Sequence, residues 1–444
     1  MRAVLFALAA LMAPLAPAAH AQAPSADYAV AVERVVSPGG IEAWLVSDST
    51  VPMIVLRAYW RGGSASDVRT GITAVTADLL TEGAGPYDAN GFKQRLEELN
   101  MSLSFSTSSD GVGMSLTTLS ENRDAAFAMA RLALASPRFD AAPLERMRRQ
   151  LLVGIRQRET NPNYLAWLAI DQTLYPDHPY ARRTQREDAQ AMTRAHLVAR
   201  AGGMFARDRM QITIVGDIDA PTASRLLDET FASVPARAPI AMPPDAVLGA
   251  ASPLITRDLP QPQSLILFVG PGIQDEDPDW VPLAVANYIL GGGGFSSRLV
   301  AEVRERRGLV YGVSTGPSLR EHLALIRGSA QTENRNVREA LEVIRAEMAR
   351  MVRDGATQTE VNDAITYLTG SFALDLDSNV KTANVVHAYQ IAGRDITHIN
   401  RRNDLIRAVT LEDVNRVARR LFAPENFTFV VVGQPEALEA DGAE

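Results

Sequence analysis

The chain repeats itself, and that repeat limits its possible folds more than any other feature. Residues 193–217 read TRAHLVARAGGMFARDRMQITIVGD, and residues 410–434 read TLEDVNRVARRLFAPENFTFVVVGQ. At a fixed offset of 217, Thr193/Thr410, Ala201/Ala418, Phe205/Phe422, Ala206/Ala423, Val215/Val432 and Gly216/Gly433 align without a gap. Each segment reads as a capped amphipathic helix, a short turn and an apolar strand ending in Gly. Two more echoes follow the same order. Glu121-Asn122-Arg123 matches Glu333-Asn334-Arg335, and Ala74-Val75 through Leu80 resembles Ala284-Val285 through Leu290. Similarity between Ala-rich helices produces one such echo by chance, hardly three in order, so the reading is two homologous halves of roughly 210 residues.

The alternation of elements agrees with this. In the first half, strands are predicted at 42–45 and 53–60, and helices at 71–80 and 90–99. A hairpin follows at 102–108 and 113–118, turned at Asp110-Gly111, then helices at 122–135 and 142–157. The second half repeats the order: strand 264–269, helices 280–290 and 297–306, strands 311–318 and 323–330, helix 337–354. Thr357 and Glu360 form a capping box for the next helix. Antiparallel pairs segregated from helix runs indicate an α+β fold, each half a mostly antiparallel sheet packed with helices. The expected domains are 28–235 and 254–435, joined by an extended Pro-rich linker at 236–253 and followed by an acidic, frayed tail at 436–444.

Residues 1–21, MRAVLFALAALMAPLAPAAHA, read as a secretory signal peptide with cleavage after Ala21. A retained N-terminal anchor is the alternative. No later run approaches the ~18 uninterrupted apolar residues of a membrane span, so no stable membrane insertion is expected. The mature chain is therefore placed in the periplasm or outside the cell. A net charge of −8 argues against nucleic-acid binding by a basic surface. The absence of Cys removes disulfides, Cys-zinc sites, iron–sulfur clusters and thiol nucleophiles together.

Metal and acid–base chemistry must then draw on six histidines, of which His20 leaves with the signal peptide. The other five are His178, His196, His322, His387 and His398. No two have the spacing that places two ligands on one helical face, and neither HExxH nor HxxEH occurs. A lone His is more often a surface or core residue than a ligand. His178, in the Pro-pinned turn Tyr175-Pro-Asp-His-Pro-Tyr180, is expected to make a structural hydrogen bond. No GxSxG elbow is present, and the run Gly291-Gly-Gly-Gly-Phe-Ser-Ser-Arg298 lacks the Gly-Lys-Ser/Thr ending of a phosphate loop. That run reads as a flexible or closely packed connection between helices. The remaining constellation is 303–312, where a cationic helix end breaks at Gly308 and a strand begins near Tyr311. Arg304 and Tyr311 are placed to converge on one cleft, and both are suitable donors to a carbonyl oxygen that gains charge. The simpler reading is cations favoured by a helix C-terminus.

Taken in order, Gly62-Gly-Ser-Ala-Ser-Asp67 ahead of Gly71, His178-Pro-Tyr-Ala-Arg182, Ile214-Val-Gly-Asp217, the stretch 290–299 and the Arg304–Tyr311 spacing make the chain resemble the pitrilysin/insulinase (M16) metallopeptidases. The resemblance is to the short form similar to mitochondrial processing peptidase, and it covers about residues 28–435. It implies a LuxS/M16-like fold that forms one half of a clamshell around an unfolded peptide. Catalytic members carry His-x-x-Glu-His on the helix after the motif Gly. By position that motif falls on Ala74-Val-Thr-Ala77-Asp78, so Ala74 and Asp78 replace the ligands and Ala77 replaces the general base. The family's third ligand, a glutamate, lands near Gly154 and Ile155. The expectation is no metal or cofactor in this chain. Arg304 and Tyr311 match the family pair that reaches across to the scissile carbonyl in another half's zinc site, whereas Arg298 reads as structural. The resemblance thus implies a zinc-less subunit, inactive alone, in a heterodimer with a homologous zinc-binding partner. Edge strands carrying Ser104, Ser106, Gly312 and Ser314 would hold an extended peptide substrate. The alternative is a non-enzymatic scaffold or peptide-holding protein like the family's core subunits in respiratory complexes.

Overall fold

The computed structural model describes residues 29–238, 240–436 and 438. The segment read as a signal peptide and all but two residues of the acidic tail lie outside the described residues. The chain forms an α+β fold with two sheets. The first sheet contains β1 (Glu33–Val36), β2 (Glu42–Ser47), β3 (Met53–Arg61), β4 (Ser102–Thr107), β5 (Gly111–Leu119) and β6 (Met210–Gly216), in the spatial order β1-β2-β6-β3-β5-β4. The second contains β7 (Ile255–Asp258), β8 (Gln263–Pro271), β9 (Val310–Arg320), β10 (Leu323–Glu333) and β11 (Thr428–Gly433), in the order β7-β11-β8-β10-β9. Apart from β1, the two orders correspond strand for strand. The pairing senses correspond too: β2/β6 and β7/β11 are parallel, and the other pairs are antiparallel.

One face of each sheet packs against helices of its own half. In the first half, Trp60 is fully buried and meets Phe205 edge to face at 4.7 Å, beside Phe231. In the second half, Phe268 stacks on Phe429 at 5.4 Å beneath the helix Val337–Asp354.

The opposite faces are covered by exchange. The helix Pro162–Leu174, from the first half, lays Ala166, Ala169, Ile170 and Leu174 on Leu265, Leu267, Val269, Val430 and Val432 of the second sheet. The helix Asn379–Ile391, from the second half, lays Ala383 and Val386 on Trp44, Val46, Val55 and Val215 of the first sheet. Both helices have 13 residues, and their first positions, 162 and 379, stand 217 apart. Side-chain caps start both: Asn161 accepts from Tyr164 N, and Ser378 accepts from Lys381 N. Double-sided burial explains the unbroken apolar runs Ala43-Trp44-Leu45-Val46 and Phe429-Val430-Val431-Val432. The sequence reading had no place for either exchanged helix, because each needs a partner surface in the other half to explain its apolar face.

The 236–253 segment contains no helix or strand, as expected of a linker, but it is pinned to both halves. Gly249 N donates to Leu174 O at 2.7 Å, Ala246 N donates to His322 O at 2.8 Å, and His178 Nε2 donates to Pro244 O at 2.7 Å. The turn between β9 and β10 also reaches the first half. There Glu321 N donates to Asp110, His322 N donates to Tyr180 Oη, and Arg61 pairs with Glu321 at 3.5 Å.

His387 lies on the buried face of the exchanged helix Asn379–Ile391, with Nδ1 3.1 Å from Thr213 Oγ1, whose hydroxyl donates to Gln390 Oε1 at 3.0 Å. Burial, with nearby Arg57 adding to it, lowers its pKa from 6.5 to about 4 against the opposing Gln390 hydrogen bond. The unfolded chain therefore takes up this proton first. The neutral imidazole's contribution to stability is full above about pH 6.5 and is lost as pH falls toward 4, a loss of roughly 3 kcal/mol at most. Urea midpoints measured across this window should fall with pH, and His387→Gln should flatten the dependence.

Candidate functional site

In the first half, the positions expected to replace the family's zinc motif lie on one short helix. Gly71, at φ +85°, turns the chain into the helix Ile72–Leu79. The loop before it is tied down by Arg200, which donates to Thr73 Oγ1 at 2.7 Å and to Gly62 O at 3.0 Å. Arg182 donates to Asp67 O at 3.0 Å. Asp67 is fully buried; it accepts from Thr73 Oγ1 and lies 3.7 Å from Arg200 Nε. Burial raises its carboxyl pKa against those partners.

On this helix Ala74 is half-buried, Ala77 is buried and Asp78 is exposed. Asp78 has no ion-pair partner among the described residues, and partial burial raises its pKa. Gly154 lies on the helix Ala141–Arg158, and a Cβ added there would meet nothing within 4 Å. Methyl groups, a lone carboxylate and a bare glycine do not add up to a zinc-ligand set. Among the described residues, no three His, Asp or Glu side chains gather as metal ligands.

The histidines have other work. His178 bridges Pro244 O and Tyr180 N, as its Pro-pinned turn predicts. His196 completes a capping box with Thr193, and His322 Nδ1 meets Asp245 at 2.9 Å.

The second half contains the Arg304/Tyr311 region. The helix Trp280–Asn287 continues as a π turn, Tyr288–Gly292. A second π turn, Val300–Glu305, holds Arg304. Both replace stretches expected to be regular helix, and such turns recur at functional sites. The glycine run is closely packed rather than flexible at its start: a Cβ on Gly291 would lie 2.5 Å from Thr315 Oγ1. Asn287 Nδ2 donates to Thr315 O, and Thr315 Oγ1 donates back to Asn287 Oδ1, locking the turn to β9.

The Arg304 guanidinium lies 4.8 Å over the Phe295 ring and makes no hydrogen bond or ion pair among the described residues. The chain then reverses at Gly308, φ +63°. Tyr311 falls where Gln331 pairs with Gly312 and Thr332 pairs with Val310, so it is the extra residue of a β-bulge, and it is 64% exposed. Arg304 and Tyr311 are both exposed. Arg298 is instead committed within the fold, to Glu360 at 2.6 and 2.7 Å and to Gly355 O at 2.9 Å. Burial alone would raise the Glu360 carboxyl; Arg298 and Thr357 outweigh it and hold the pKa at about 2.

The four residues read as peptide contacts all lie on sheet edges. Ser104 and Ser106 are exposed on β4, and Gly312 and Ser314 are exposed on β9. Phe295, Asn287 and Thr315 were missed by sequence reading. The glycine run was the available signal for a close approach, but it does not identify what approaches.

Residues 191–368 match the family described as peptidase M16 inactive domain. The chain is 26% identical over 380 residues to a non-peptidase homolog, YmxG, of Helicobacter pylori, covering 84% of this chain and 87% of that protein. It is 30% identical over 283 residues to an uncharacterized zinc protease of Mycobacterium bovis, covering 62% of this chain and 63% of the relative. A crystal structure of a peptidase M16 inactive domain from Pseudomonas fluorescens superposes with TM-score 0.87 at 26% identity, over 92% of this chain and 99% of that one. The periplasmic protease PqqL of Escherichia coli shares the fold with TM-score 0.79 at 16% identity, over 92% of this chain and 46% of that protein. For a zinc-less chain, neither added zinc nor a chelator should move the melting temperature of the purified protein. A rise with zinc would reveal a resident site by mass action.

Proposed function

The chain belongs to the pitrilysin/insulinase (M16) peptidase family, and on that premise we propose that it is the non-catalytic subunit of a secreted or periplasmic, two-chain zinc metallopeptidase. A homologous partner supplies the zinc, its ligands and the general base. This chain supplies one half of the chamber, edge strands for an extended peptide, and Arg304 and Tyr311 as donors to the scissile carbonyl.

The observation that carries the reading is the pairing of a ligand-free first half with polar donors left unused in the second. A surface Arg ordinarily finds a carboxylate, and this chain is rich in Arg–carboxylate pairs. Arg304 has none among the described residues; Phe295 supports it from one side and leaves its N–H groups free. The bulge turns Tyr311 outward on the adjacent strand. Donors held in this way suit an oxyanion that develops only in the transition state. The edges of β4 and β9 present unpaired backbone groups flanked by Ser and Gly, which permits strand addition. No helix among the described residues is long and apolar enough to cross a membrane, and secretion rests on the 1–21 segment.

Mixing tests the proposal. The chain alone should cleave no peptide, and activity should appear when a homologous chain carrying His-x-x-Glu-His is added. In that complex, Arg304→Ala or Tyr311→Phe should lower turnover by roughly 10²–10³-fold, the scale for one lost oxyanion donor. Zinc-dependent cleavage by the lone chain overturns the proposal. An active complex indifferent to both substitutions would instead favour a scaffolding role.

A further inference from the structure

Beside the Arg304 edge lies a second concavity, of about 380 Å³, between the Tyr288–Gly292 turn and the helix Gln358–Gly370. Tyr288, Ile289, Ser296, Asp363, Thr366 and Tyr367 line it. The Tyr288 and Tyr367 rings meet at 5.0 Å, tilted by 34°. Tyr288 is buried, whereas Tyr367 is 57% exposed. Asp363 and Tyr367 stand four apart on one helix, so the carboxylate and the open ring share a face. Asp363 makes no hydrogen bond or ion pair among the described residues. The other carboxylate at this site, Glu360, is fully engaged by Arg298 and Thr357.

Neighbouring aromatic rings show what such a surface accepts. Phe295 is covered by Arg304 at 4.8 Å, and Phe372 is covered by Arg402 at 4.2 Å. Tyr367 has a carboxylate one turn away and no cation of its own. An apolar occupant would strip water from Asp363 without replacing it. A planar guanidinium would gain the ring face and the carboxylate together. The concavity also adjoins the candidate peptide edge, because Asn287 and Gly291 fasten the Tyr288 turn to β9 at Thr315.

We infer that the Tyr288–Tyr367–Asp363 pocket takes a basic side chain, Arg in preference to Lys, from a peptide lying along β9. This rests on the peptide-holding role proposed above. The test uses the full chain and fluorescein-labelled extended peptides, with a single Arg stepped along the sequence. Each peptide has a twin with citrulline, uncharged and nearly isosteric, at the same position. By fluorescence anisotropy, at least one Arg peptide should bind roughly tenfold tighter than its twin. Asp363→Asn and Tyr367→Ala, both at exposed positions, should bring it to the citrulline level while leaving citrulline binding unchanged. Equal binding of Arg and citrulline peptides throughout the series overturns the pocket and leaves peptide holding intact. Failure of every peptide to bind overturns peptide holding, and the pocket with it.

Discussion

The exchange of one helix between the two halves underlies the rest of the structure. Each sheet buries one face on its own helices and relies on the other half for a cover over the second. Without Asn379–Ile391, the first sheet would expose Trp44, Val46, Val55 and Val215. Without Pro162–Leu174, the second would expose Leu265, Leu267, Val269 and Val430. Apolar burial on this scale makes separation of the halves costly, so they form one unit rather than beads on a tether. The linker follows the same logic. It is irregular in conformation, yet Gly249, Ala246 and Pro244 hydrogen-bond to residues of both halves. A cleft of about 940 Å³ remains at the seam, where Arg61 of the first half pairs with Glu321 of the second.

Cover by a single helix also explains where the sheets stay open. The exchanged helices reach the strands at one side of each sheet and leave β4 and β9 as bare edges. Those edges carry Ser102, Ser104 and Ser106 in one sheet, and Gly312, Ser314 and Ser318 in the other. Exposed strand edges invite unwanted pairing unless something protects them. Here the named side chains are small and polar; no charge or Pro interrupts 102–107 or 310–316, and Pro317 lies further along β9. The same constraint that rigidifies the halves thus presents two accessible edges at fixed positions.

The two halves share a strand topology and differ in the side chains it presents. Around the helix Ile72–Leu79, the buried Asp67, Thr73 and Arg200 network fixes the loop and helix. Packing demands are met by Ala77 and Val75, which need no metal. In the other half, irregularity is concentrated around Arg304 and Tyr311: two π turns, a left-handed Gly308 and a bulge at Tyr311. Each departs from regular geometry, and each changes the direction of a nearby side chain.

Much of this was legible in the sequence. The 217-residue offset, the hairpin turned at Asp110-Gly111, the Thr357/Glu360 capping box and the Ala74, Ala77 and Asp78 replacements depend on local pattern or residue chemistry alone. The expectation that Ala74 and Ala77 hold no metal needed no coordinates, because a methyl group cannot ligate a metal wherever it lies. What remained hidden depends on residues far apart in the chain. The cover exchanged between halves, the pinned linker, the π turns beside Gly291 and the free carboxylate of Asp363 beside Tyr367 arise from such contacts. Sequence by itself determined two halves of one topology and the absence of a ligand set, since periodicity and side-chain chemistry are local properties. Only the tertiary structure decided which half covers which sheet and which donors are left unpaired, because burial and partnership are properties of surfaces that meet only after folding.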